Sequence, residues 1–138
     1  MAYTTVPEVL ADYNILDRDD QYRLLIDLGR QLEPMPEALK TEATKVRGCL
    51  SQVWTYPVPS SDGRRLHFLA DSNSQITKGV IALILMLVQD RAADEVLETD
   101  IERLLEPFDL GSHLSSNRAN GIPNMIALIR RTAARLAA

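Results

Sequence analysis

The segment from about Gln75 to Gln89 constrains the fold more than any other part of this chain, because it is apolar on nearly every face that a helix would present. Such a helix has to be surrounded. Its longest strictly apolar run, Val80 to Val88, is nine residues, well short of the roughly 20 that a membrane-spanning helix requires. The expectation is therefore a helix at the centre of a water-soluble core, with the remaining elements packed around it. Asp71-Ser72-Asn73-Ser74, just ahead of it, supplies several side-chain oxygens for the open N–H groups of the first turn.

The other elements follow from periodicity and turn chemistry. Val6 to Tyr13 reads as a short helix with Pro7 and Glu8 in its first turn, where a missing N–H and a negative charge are both tolerated. Asp17 reads as the cap of a second helix, on which Leu24, Leu25, Leu28 and Leu32 recur at helical spacing until Pro34 and Pro36. Glu37 to Lys45 is polar and long enough for one or two turns. From Ser51 to Val58 the chain is rich in β-branched and aromatic residues, Ser60-Ser61-Asp62-Gly63 has the composition of a hairpin turn, and Arg65 to Ala70 returns. Leu66, Phe68 and Ala70 alternate with His67 and Leu69, which predicts an antiparallel sheet covered on one side by helices.

Two short helices are expected over Ala92 to Leu97 and Asp100 to Leu105. Their acidic residues read as a solvated face, with a docking surface as the alternative. The last helix carries Ile122, Met125, Ile126, Ile129, Ala133 and Leu136 on one stripe, with Arg130, Arg131 and Arg135 off it near the carboxyl end. Its start has two solutions. Pro123 suits a first turn, yet Ser115, Ser116 and Asn117 could cap an earlier start, in which case Pro123 would bend the helix.

The 138 residues show no repeat, low-complexity tract or linker, and they predict one domain spanning 1–138 with an α+β fold. A net charge of −4 argues against nucleic-acid binding as the main function, since phosphate neutralisation needs clustered Lys and Arg. A lone cysteine cannot make an internal disulfide, and the first residues lack the basic segment and apolar core of a signal peptide, so a reducing cytoplasm is the expected compartment.

That cysteine, Cys49, lies in Val46-Arg47-Gly48-Cys49-Leu50-Ser51-Gln52-Val53-Trp54, which also holds the only tryptophan. A free cysteine is commonly no more than a small buried hydrophobe. Here Gly48 permits the positive φ of a tight turn, and Lys45 and Arg47 are close enough in sequence to favour the thiolate. Cys49 is thus the candidate nucleophile, the electrophile being undefined by the local residues.

Gly48-Cys49-Leu50-Ser51-Gln52-Val53-Trp54 resembles the Gly-Cys-x-Ser-x-Val-Trp signature of the SufE family, sulfur acceptors for cysteine desulfurases. Asp71-Ser72-Asn73-Ser74-Gln75-Ile76-Thr77-Lys78-Gly79 is similar to that family's Asp-rich lead into an Ile-x-Lys-Gly helix, and Arg118-Ala119-Asn120-Gly121-Ile122 to its Arg-x-Asn-Gly-Leu segment. The three blocks stand in family order, and the resemblance covers nearly the whole chain. The resemblance implies an IscU-like fold, a small antiparallel sheet of about three strands with helices packed on it, shared with iron–sulfur scaffold proteins. It also implies that Cys49 takes persulfide sulfur from a pyridoxal-phosphate-dependent cysteine desulfurase, SufS- or CsdA-like, stimulates that enzyme, and passes the sulfur to an iron–sulfur scaffold or other acceptor, with no cofactor of its own.

Supporting roles are assigned on the same basis. Gly48 and Ser51 belong to the cysteine loop, and Gln52 and Trp54 are candidates for a partner interface, although a strand tryptophan is more often core. Asp71 is expected to cap the central helix, Arg118 to place positive charge near the thiolate, and Asn120 to brace the loop. Leu50 stands where the family commonly has a polar residue, and Pro123 interrupts an expected helix. A zinc site from Cys49, His67, His113 and Asp71 is formally conceivable, but the spacings are not those of metal ligands. The alternative functions are a regulatory module that activates a desulfurase by contact alone, and sulfur relay to a tRNA-modification branch. Self-association as a homodimer is left open.

Overall fold

The computed structural model describes residues 3–48 and 52–137, without the side chain of Asn117. Helix α1 spans Val6–Tyr13, and its first turn is closed by a reciprocal pair in which Thr5 and Glu8 satisfy each other's backbone N–H groups. Helix α2, Arg18–Gly29, begins at Asp17, whose carboxylate accepts from the Asp20 N–H. The leucine periodicity continues to Leu32, but the helix ends at Gly29. Between 37 and 45 only one 3-10 turn forms, Glu37–Leu39.

Strands β1 (Val53–Pro59) and β2 (Arg65–Ser72) form the expected antiparallel hairpin, and a two-residue β3 (Arg91–Ala92) completes a sheet of order β1-β2-β3. β1 lies at an edge, which explains how Pro57 and Pro59 are tolerated in it. Beyond the short β3 the other side of β2 is completed by a side chain: Phe68 N–H donates to Gln89 Oε1 at 2.7 Å, and Gln89 Nε2 donates to the Phe68 carbonyl at 2.8 Å. Val53 and Thr55 share the buried face with Leu66, Phe68, Ala70 and Ser72.

Helix α3 (Gln75–Val88) is buried along almost its whole length, as its all-round apolar character requires. It packs on β2, on α2 and on the short helices α4 (Ala93–Glu98) and α5 (Ile101–Leu105). The crossing with α2 is unusually close because Gly29 and Gly79 bring the two backbones together: a Cβ added at Gly29 would lie 2.7 Å from Lys78 Cβ, and one at Gly79 would overlap the Leu25 carbonyl. The acidic residues around α4 and α5 are exposed, as a solvated face requires, and three of them also serve the fold. Glu95 accepts from the Ala92 N–H, Asp100 caps α5, and Glu102 pairs with Arg130.

Both solutions for the last helix are partly realised. Helix α6 (Ser116–Ala119) is capped by Ser115, and a separate helix α7 (Gly121–Ala137) follows, with Pro123 in its first turn where no N–H is needed. No helix among the described residues is long and apolar enough to cross a membrane.

Candidate functional site

Cys49, Leu50 and Ser51 lie outside the described residues, so the site is defined by what flanks them. The approach and the exit run side by side. Val46 N–H donates to the Val53 carbonyl at 2.8 Å, Thr55 N–H donates to the Thr44 carbonyl at 2.9 Å, and Lys45 and Trp54 form an isolated antiparallel bridge. Part of the free edge of β1 is thus covered by the residues that lead to the cysteine, so Cys49 belongs to the connection of a short hairpin stem.

Each end of the connection is tied to a helix or its lead-in. Gly48 has φ +83°, the left-handed region for which Gly48 is suited, and its carbonyl accepts from Asn124 Nδ2 at 3.3 Å. The same Nδ2 donates to the Asn120 carbonyl at 3.3 Å. At the other end Gln52 and Asn73 hold each other twice: Gln52 N–H donates to Asn73 Oδ1 at 3.1 Å, and Asn73 N–H to the Gln52 carbonyl at 3.2 Å. Asn73 precedes α3 and Asn124 lies on α7, so two separate elements fix the points where the chain leaves for Cys49 and returns.

Several assigned roles change accordingly. Ser74, not Asp71, caps α3, its hydroxyl accepting from the Thr77 N–H. Asp71 is still within β2, opposite Trp54, three positions too early to reach the open N–H groups. Its carboxylate instead sits between Lys40 at 2.7 Å and Lys78 at 3.3 Å and accepts from the Ser72 N–H. Burial pushes the Asp71 pKa up, but these donors outweigh it and hold the group below its ordinary value, while the hydrogen bonds to Asp71 and then Glu37 raise that of Lys40. Lys40 Nζ also stands 5.6 Å from the Trp54 ring centroid. Trp54 is half-buried on the outer face of the sheet, beneath this lysine, and is not a core residue.

Asn120 contributes only its main-chain carbonyl, and the bracing side chain is that of Asn124 one turn on. Arg118 is exposed, and it joins Val53, Val80, Ile84, Ile122 and Met125 in lining a narrow, mostly apolar cavity of about 20 Å³. Val53 directly follows Gln52, so this cavity lies beneath the stem, and it has room for about one small group.

The histidines are placed apart from this constellation. His67 lies between Glu33 at 2.7 Å and Asp90 at 2.9 Å, and His113 Nε2 faces the Tyr13 hydroxyl at 2.8 Å. Among the described residues no three His, Asp or Glu side chains gather as a metal cluster. Sequence reasoning missed Asn124 and Lys40 as site residues. Asn124 had a faint signal in its i, i+4 relation to Asn120, whereas nothing local links Lys40 to Asp71.

The arrangement defines an α+β protein in which a short hairpin stem, with a small apolar cavity beside Val53, leads to and from the residues around its single cysteine, the two ends of the stem tied to Asn124 and Asn73. Residues 8–133 match the family described as SufE, Fe-S metabolism associated domain. An uncharacterized SufE-like protein of Rhizobium meliloti (strain 1021) is 35% identical over 133 residues, covering 94% of this chain and 95% of that protein. A second, from Rhizobium etli, is 33% identical over 132 residues, covering 94% and 89%. The chain belongs to the SufE family. A solution structure of a hypothetical protein from Thermus thermophilus shares the fold, with a TM-score of 0.75 at 13% identity over 99% of this chain and 98% of that one.

Proposed function

We propose that this protein is a sulfur carrier for iron–sulfur metabolism, with Cys49 accepting sulfur from a pyridoxal-phosphate-dependent cysteine desulfurase. The observation that supports this reading is the anchoring of both residues that flank the cysteine segment, Gly48 to Asn124 and Gln52 to Asn73, with a cavity of the size of a small group lined by the next strand residue, Val53. A cysteine that served only as packing would not require a stem, a left-handed glycine and two asparagine ties.

The Cys49 thiolate attacks the outer sulfur of the desulfurase persulfide. The new bond joins Cys49 Sγ to that sulfur, the old sulfur–sulfur bond breaks, and the desulfurase cysteine leaves as a thiolate. No net oxidation occurs, and the rate depends on the thiolate fraction, the leaving thiol and access. Lys45 and Arg47, in the incoming arm of the stem, favour the thiolate electrostatically. Val53, Ile122 and Met125 in the cavity wall would shelter the transferred sulfur from water and small reductants. A thiol of a cluster-assembly scaffold then takes it by the same exchange. A lone carrier thiol of this kind works in a reducing cytoplasm.

Incubation with desulfurase and cysteine is expected to add one sulfur, about 32 Da by intact mass, to the parent and none to Cys49→Ser, as a nucleophile role requires. Equal addition to both would overturn the carrier reading. Full stimulation of the desulfurase by Cys49→Ser would instead favour a module that acts by contact.

A further inference from the structure

A groove with an unbalanced positive charge runs from Arg47 along α7. It consists of two adjoining hollows of about 340 and 260 Å³, which share Ala43 and Leu128 in their walls. Lys45, Arg47 and Arg131 line the first and Arg135 the second, with Glu42 the sole carboxylate in either wall. None of these four cations is within 4.0 Å of a carboxylate among the described residues, whereas the neighbouring Arg130 is neutralised by Glu102 at 2.6 Å. In a chain of net charge −4, this local excess is the reverse of the average.

Thr55, 6% exposed, lies in the floor of the groove. Its hydroxyl oxygen is sealed from solvent and has no hydrogen-bond partner among the described residues, so it offers the groove no accessible polar group, and the cations supply the polar character of the walls.

We propose that this groove binds an extended acidic segment of a partner protein. Asn124, Leu128, Arg131 and Arg135 follow one another at helical spacing, so the polar, apolar and cationic positions form one stripe about 16 Å long at 1.5 Å per residue. That length suits about five residues of extended chain, with carboxylates on Lys45, Arg131 and Arg135 and an apolar side chain on Leu128. A single small anion would satisfy one cation and leave the others unbalanced. A polynucleotide is disfavoured by the net charge of the chain. Lys45, Val46 and Arg47 of the incoming stem arm line the groove, so a partner held there lies along the stem that leads to the cysteine, although its binding does not depend on what Cys49 does.

The probe is a fluorescein-labelled octapeptide of alternating glutamate and valine, with a glutamine-for-glutamate version as control, followed by fluorescence anisotropy. The expected result is saturable binding that weakens with salt, is at least tenfold weaker in Arg131→Glu/Arg135→Glu, and is unchanged in Arg91→Glu/Arg103→Glu. Thr55→Val should bind as the parent does and melt no lower, since its hydroxyl is sealed from the groove and has no partner to lose among the described residues. Cys49→Ser should bind as the parent does, which separates this groove from the carrier reading. Equal binding of the glutamine peptide, indifference to the Arg131 and Arg135 reversal, or binding of a single-stranded oligonucleotide or inorganic phosphate in place of the peptide would overturn the proposal.

Discussion

The carboxamide of Asn124 donates to the Gly48 carbonyl at 3.3 Å and occupies the space that a side chain on Gly48 would need. Gly48→Ala therefore meets two obstacles, a positive φ and an occupied site. It is expected to lower stability by about 1–2 kcal/mol in urea unfolding. Asn124→Ala removes the overlap but not the backbone strain, so the double variant should lose less than the sum of the two single losses.

Asn73 ties the other end. Asn73→Ala removes the acceptor of the Gln52 N–H while leaving the Asn73 N–H to the Gln52 carbonyl. Cys49 is expected to react several-fold faster with a bulky maleimide in this variant, with the far-ultraviolet circular dichroism unchanged. An unaltered labelling rate would show that Asn73 does not restrain the connection.

Gly79 tests the core. A Cβ there would run into the Leu25 carbonyl, a backbone atom that cannot swing aside as a side chain can. Gly79→Ala should cost about 3 kcal/mol or more, at the upper end of overpacking effects. Gly29→Ala faces Lys78 Cβ at 2.7 Å and the Gly79 nitrogen at 2.8 Å and should be damaging for the same reason. Thermal melting of both variants checks this.

His67 predicts a pH dependence. Burial of the imidazole opposes its charge, but the Glu33 and Asp90 carboxylates outweigh that and raise its pKa above the ordinary 6.5. The folded state therefore binds the proton more tightly than the unfolded state. The resulting stability is fully present below pH 6.5 and is lost as pH rises through the raised folded value. The melting difference between the parent and His67→Gln should be greatest near about pH 6 and shrink toward about pH 9. A difference that grows with pH would contradict the pairing.

Legibility followed the range of the interactions. The helix from Val6, the Asp17 cap, the Ser60–Gly63 turn and the buried helix α3 were readable because each depends on residues a few positions apart. The role of Asp71 was misjudged for the same reason. Capping is a local habit of aspartate, whereas its actual partner Lys40 is 31 residues away and is brought near only when the segment before β1 folds over the outer face of the sheet.

The sequence alone determined that a helix apolar on all sides must be enclosed, that a hairpin precedes it, and that one thiol sits beside a glycine able to turn. These depend on periodicity, capping and backbone stereochemistry, which act over one or two turns of chain. Only the tertiary structure decided that the cysteine connection leaves from a stem paired along the edge of β1, that Asn73 and Asn124 hold its two ends, and that Arg131 of α7 lines a groove with Lys45 and Arg47. The bond from Asn124 to Gly48 alone joins residues 76 positions apart, and no local preference encodes such relations, because they arise from how the helices settle on the sheet.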